Sequence, residues 1–164
     1  RLLSGLEEPD TGAVLPGHGL KLGYFAQEHD QLDPTQTVLE NMLSAAPDLN
    51  ETEARRVLGG FLFSGDDDHK LARVLSGGEK TRLALATLVV SAANVLLLDE
   101  PTNNLDPASR AEVLSAIQRY AGAIVLVTHD GGAVQALQPD RVIVLPDGVE
   151  DLWSEDYAEL VALA

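Results

Sequence analysis

The sequence contains no cysteine. That excludes a disulfide scaffold and a cysteine-ligated zinc site, and it fits a reducing compartment such as the cytoplasm. No apolar run reaches the roughly 18 residues that would signal a membrane-spanning helix, so no membrane insertion is predicted. No secretory leader is expected within this stretch either: it opens Arg1-Leu2-Leu3-Ser4-Gly5 and turns polar at once. The first residue is not Met, and the natural N-terminus is expected to lie upstream of Arg1. Basic residues are scarce, 11 Lys and Arg against 26 Asp and Glu, for a net charge of -15. A surface this acidic repels phosphate backbones, so direct nucleic-acid binding by this chain is not expected. What remains is 164 residues with 45% apolar content, enough for one domain with a real core.

The hydrophobic spacing divides the chain. Arg1 to Leu6 reads as the last turns of a helix. Ala13–Leu15 and Leu20–Phe25 read as short strands, joined as a hairpin by Pro16-Gly17-His18-Gly19. Val38, Leu39, Met42, Leu43 and Ala46 recur at helical spacing behind a Thr37/Glu40 capping box. A second helix carries Ala54, Val57, Leu58, Phe61 and Leu62 on one face, with Asn50 and Glu53 as its cap. Ser64 to Lys70 reads as a solvated acidic loop whose aspartates lack calcium-loop spacing. Farther on, Val95–Leu98, Ile124–Val127 and Val142–Leu145 are unbroken apolar runs, the pattern of parallel strands buried on both faces. A helix from about Pro107 to Tyr120 lies between the first two, with Asp106 as N-cap, Pro107 in the first helical position, and Val113, Leu114, Ile117 and Tyr120 inward. Alternating strands and helices predict an α/β fold with right-handed crossovers. Glu150 to Ala164 reads as an amphipathic helix bearing Tyr157, Leu160 and Val161. Four segments follow: 1–35, a helical subdomain at 36–92, an α/β core at 93–148, and a C-terminal helix at 149–164.

Ligands of open parallel sheets sit beyond the carboxyl ends of the strands. Here one strand ends in Asp99-Glu100 and another in Thr128-His129-Asp130, placing two acids and a histidine on one rim. A carboxylate there can hold Mg²⁺, which keeps several waters of its own. A second carboxylate can orient or deprotonate an attacking water, and an imidazole can contact a phosphate or that water. For Asp99 alone a helix cap or loop acid is the simpler reading; the apolar run leading into Asp-Glu-Pro-Thr reverses that preference. His18, His29 and His69 lie in polar turns or loops and read as bystanders, and Trp153 and Tyr157 as packing residues.

Leu75-Ser76-Gly77-Gly78-Glu79-Lys80 precedes an apolar helix, Leu83 to Val90. Two glycines expose backbone N–H groups at a helix N-terminus, which suits an anion. A plain Ser76/Glu79 capping box explains the same residues equally well. Gly78-Glu79-Lys80-Thr81 is not the end of a phosphate-binding P-loop, because no G-x-x-x-x-G-K-[ST] occurs in the chain.

Taken together these segments resemble the motifs of ABC-type ATPase cassettes. Leu75–Glu79 resembles the signature motif, Val95–Glu100 the Walker B strand with its glutamate, Asn104-Leu105-Asp106 the D-loop, His129 the switch histidine, and Gln27 the Q-loop glutamine. Ser76–Arg82 and Glu100–Asp106 are most similar to the soluble ABC-F proteins, as is Phe61–Asp66 to the helical region of their second cassettes. The usual ABC-F form has His where this chain has Asn104.

The resemblance implies part of a nucleotide-binding domain: half of a RecA-like parallel-sheet core with a helical subdomain and a β-hairpin, beginning just after the P-loop. It implies ATP and Mg²⁺, with Gln27 and Asp99 helping to hold the metal and its water. Glu100 would activate the hydrolytic water, and His129 would contact the γ-phosphate region and link it to Glu100. Cassettes of this family pair head to tail. Ser76, Gly77, Gly78 and Glu79 would therefore meet ATP bound by a second cassette, and Asp106 would reach across the interface. The family's soluble members act largely on the ribosome, through segments outside this one. The chain alone is expected neither to bind ATP tightly nor to hydrolyse it, and to expose apolar surface where further strands would pack. Two other readings stay open: the ATPase subunit of a membrane transporter, and a non-enzymatic module that only pairs with another cassette.

Overall fold

A computed structural model describes residues 1–25 and 31–163, without the side chains of residues 159, 160, 162 and 163. Gln27 and His29 fall outside the described residues. Three strands, β1 (Leu22–Phe25), β2 (Val95–Asp99) and β3 (Ala123–Val127), form a parallel sheet with β2 in the centre. Leu22 sits opposite Val95, and Asp99 opposite Val127. The helices are α1 (Val38–Ala45), α2 (Glu51–Gly60), α3 (Gly77–Val90), α4 (Pro107–Gln118), α5 (Gly131–Leu137) and α6 (Glu155–Leu163).

The caps read in the sequence form. Thr37/Glu40 and Asn50/Glu53 close reciprocal capping boxes on α1 and α2, and Asp106 accepts the Ala108 and Ser109 N–H groups at 3.1 Å at the start of α4. One core joins the helical subdomain to the sheet: Met42, Leu58, Phe61, Leu83 and Leu85 continue into Leu96, Leu98, Val113 and Ile117. Tyr120 lies just beyond α4 and donates its hydroxyl to the Ala93 carbonyl at 2.7 Å.

Several expectations are corrected. Arg1 to Leu6 is a series of turns, closed by Leu6 N–H to the Arg1 carbonyl and Gly5 N–H to the Leu2 carbonyl, with Gly5 at φ 74°. That bond pair with a left-handed glycine is the Schellman closure found at helix ends, so the helix-end chemistry is present without a helical run. Ala13–Leu15 forms no strand, and Leu22–Phe25 pairs with β2 rather than folding into a hairpin. The hairpin lies elsewhere: β4 (Arg141–Val144) pairs antiparallel with β5 (Val149–Leu152) around Pro146-Asp147-Gly148. Val142–Leu145 therefore does not join the parallel sheet, and the C-terminal helix starts at Glu155 rather than Glu150. Leu62, placed on the buried face of α2, lies past its C-cap at φ 63° and is 38% exposed. The acidic loop is a 3-10 turn (Gly65–His69) in which Asp68 is buried against Arg55, with 2.7 Å between Oδ2 and Nε. β3 is covered on one face only, with Val125 and Val127 exposed.

Candidate functional site

β2 and β3 run parallel and end side by side, so the turns that follow them meet. Glu100 leaves β2 with a left-handed backbone, φ 47°, and its N–H donates to the Val127 carbonyl at 2.9 Å. A side chain in that backbone region costs roughly 1–3 kcal/mol and persists only where its surroundings enforce it. Here the twist turns the Glu100 carboxylate toward the loop after β3. Its Oε1 lies 2.7 Å from His129 Nδ1 and accepts the His129 backbone N–H at 3.1 Å, while Oε2 accepts the Thr128 hydroxyl at 3.3 Å. The Glu100 side chain is 19% exposed and the His129 side chain 60%. A carboxylate on Nδ1 favours the tautomer protonated there, which leaves Nε2 as the acceptor nitrogen of a largely exposed ring.

Asp99, the last residue of β2, is half-buried, and no described residue hydrogen-bonds its carboxylate. A hydrated Mg²⁺ needs only one or two protein oxygens, and a half-buried carboxylate at a strand end suits it. Among the described residues no cluster of three or more His, Cys, Asp or Glu could hold a metal ion.

The second group lies at the start of α3. Ser76 and Glu79 close a full capping box: Glu79 Oε2 accepts the Ser76 N–H at 2.8 Å and its hydroxyl at 2.7 Å. The Ser76 hydroxyl and N–H, the former more strongly, hold the Glu79 carboxyl below its ordinary range. The cap and the glycine loop coexist, so the plain reading of this segment is realised without excluding the other. A Cβ on Gly77 would meet open space, whereas one on Gly78 would lie 3.1 Å from the Asn104 carbonyl. Gly78 thus lets the first turn of α3 approach the Asn104-Leu105-Asp106 turn within the same chain. The capping bonds to Asp106, that with Ser109 first, keep its carboxyl low as well.

A third cluster has no counterpart in the sequence reading. Asp130 Oδ2 accepts the hydroxyl of the buried Thr102 at 3.0 Å and pairs with Arg110 at 3.1 Å. Asp130 stands beside His129, but nothing local marks Thr102 and Arg110 as its partners. The contact joins positions 28 residues apart.

Residues 1–103 match the ABC transporter family. The chain belongs to that family. ABC-F proteins are among its relatives. YdiF of Bacillus subtilis (strain 168) is 46% identical over 92% of this chain and 23% of its own length. YheS of Escherichia coli (strain K12) is 39% identical over 97% of this chain and 25% of its own length. ABC transporter F family member 5 of Arabidopsis thaliana is 37% identical over 96% and 23%. The chain thus spans about a quarter of the length of these relatives. The fold is that of solved cassettes. The ATP-binding cassette MJ0796, dimeric with ADP and phosphate, superposes with a TM-score of 0.66 at 23% identity, over 81% of this chain and 63% of that one. The archaeal ribosome recycling factor aABCE1, in complex with stalk protein aP1, gives 0.69 at 24% identity, over 90% and 29%.

Proposed function

We propose that this chain supplies one side of an ATP-hydrolysing interface between two ABC cassettes in an ABC-F-type protein of the cytoplasm that acts on the ribosome. The observation that carries the hydrolytic half is the Glu100–His129 pair, held 2.7 Å apart on the rim beside a half-buried Asp99. In this reading Glu100 accepts a proton from the attacking water. His129, oriented through Nδ1, turns Nε2 toward the γ-phosphate region. Asp99, with Gln27, holds Mg²⁺, which neutralises phosphate charge when bound. Ser76, Gly77 and Gly78 receive the γ-phosphate of ATP bound by the second cassette, with Glu79 bonded to Ser76 beside them, and Asp106 approaches it across the interface. The ribosomal role follows from the resemblance to the soluble ABC-F proteins; RNA contacts would belong to other segments, since this one carries a charge of -15.

The test is steady-state ATP hydrolysis by the protein expressed from its complete coding region. Glu100→Gln should lower kcat by about 10²–10⁴-fold, the range for a general base, with little change in KM. Full activity in Glu100→Gln would sink the assignment. The 164 residues contain no G-x-x-x-x-G-K-[ST] of their own. The 164 residues alone should then show no tight ATP binding in calorimetry. Micromolar affinity that disappears in Asp99→Ala would overturn this.

A further inference from the structure

The Glu100–His129 pair is exposed on its histidine side, so something must hold the loop that presents the ring. The hydrogen bonds to Glu100 are one part of that support. Behind them lies a more enclosed set of contacts. The Asp130 side chain is 15% exposed. Its Oδ1 accepts the Gly132 N–H at 2.9 Å, while Oδ2 takes Thr102 and Arg110 together. Its own N–H donates to the Thr128 hydroxyl at 3.0 Å, and that hydroxyl in turn donates to Glu100. Thr102 is 1% exposed. Arg110 Nε is enclosed with no hydrogen-bond partner, so the guanidinium is placed by its contact with Asp130 rather than by a full set of its own. Three elements therefore converge on one carboxylate: the turn after β2, the first turns of α4, and the loop between β3 and α5.

We propose that Asp130 is a positioning residue, which by clamping Thr102 and Arg110 fixes the 128–130 loop so that His129 faces Glu100. The proposal rests on the reading of Glu100 and His129 given above. The clamp also ties α4, whose N-cap is the Asp106 that would reach a partner cassette, to the loop bearing the histidine. Ångström-scale misplacement of a reacting group can cost about 10²-fold in rate. Asp130 is largely enclosed while Arg110 is 37% exposed, so loss of the charge at Asp130 removes the contact that places the guanidinium.

Asp130→Asn separates this role from helix capping, because the amide keeps an acceptor for Gly132 while removing the charge opposite Arg110. In the protein expressed from its complete coding region, Asp130→Asn should lower kcat about 10–100-fold and leave KM for ATP within about twofold. Thr102→Val should do likewise, and Thr102→Ser, which restores the hydroxyl, should recover most of the rate. In a His129→Ala background Asp130→Asn should add less than about twofold, since residues acting as a unit are not additive. Amide hydrogen exchange at residues 128–130 should quicken about tenfold in Asp130→Asn, with α3 unchanged. A drop in kcat as large with His129 absent as with it present would overturn the proposal. So would unaltered exchange at 128–130 in the folded variant. Were the parent protein inactive and indifferent to Glu100→Gln, the catalytic reading would fall, and hydrogen exchange would still decide the clamp. If Asp130→Asn does not fold, Thr102→Val carries the same comparisons.

Discussion

Ser76 shows how much can be read at the scale of one residue. Its capping role follows from Glu79 three positions on, and both partners take it up. Ser76→Ala should cost about 1 kcal/mol in chemical denaturation, the usual loss for an N-cap. Lowered carboxyl pKa values have the same local origin: hydrogen bonds within the caps depress Glu40, Glu79 and Asp106, and Lys70 depresses Asp67. Each group binds protons more weakly folded than unfolded. Its contribution is therefore complete above the ordinary carboxylate range, near pH 4, and is lost as pH falls through the lowered folded values. The urea midpoint should hold steady above about pH 5 and decline below it, and Glu40→Gln should flatten the decline. A midpoint that rises on acidification would contradict this. Local capping was legible because donor and acceptor are three residues apart. Thr102, Arg110 and Asp130 were not, since nothing short of the fold brings them together.

Elements were legible where their periodicity was long. α1, α2, α3 and α4 fall where helical spacing and caps put them, and β2 where its apolar run lies. Short pieces misled. Leu22–Phe25 follows a Pro-Gly turn signal, yet its partner is β2, because Gly23 packs against Leu96 and Leu88 and a Cβ there would come within 2.9 Å. At the end of α2, spacing put Phe61 and Leu62 on one face, and the chain turns left-handed between burying the first and exposing the second. Phe61→Ala should therefore cost about 3–5 kcal/mol, while Leu62→Ala should stay within about 1 kcal/mol. Comparable losses for the two would restore a continuous helical face. Gly122 is tighter still: a Cβ would lie 2.6 Å from the Asn94 carbonyl, so Gly122→Ala should cost about 1–3 kcal/mol through overpacking.

Over the whole molecule the dominant feature is a sheet with one face only partly covered. Leu22, Val95, Leu97 and Val125 face an open groove of about 750 Å³ shared with Leu2, Leu3, Val14 and Leu15. Exposed apolar surface was anticipated from the motif content; its place on the sheet was not, because an unbroken apolar run signals burial on both faces whether or not a neighbour is present. Contiguous apolar surface promotes association, and a charge of -15 opposes it. The isolated chain should stay dispersed near neutral pH and associate as pH approaches its pI of about 4.4, with rising light scattering and bound hydrophobic dye. Low dye binding throughout would mean that the groove closes in solution.

The left-handed turn at Glu100 has a consequence for variation. Glycine occupies φ 47° without steric objection, and glutamate does not. Local backbone comfort and rim chemistry thus pull position 100 in opposite directions. A glycine there would relax the main chain and at the same time remove the carboxylate that holds Thr128 and His129, so on the proposed role of Glu100 the easier backbone and the working rim are alternatives one substitution apart.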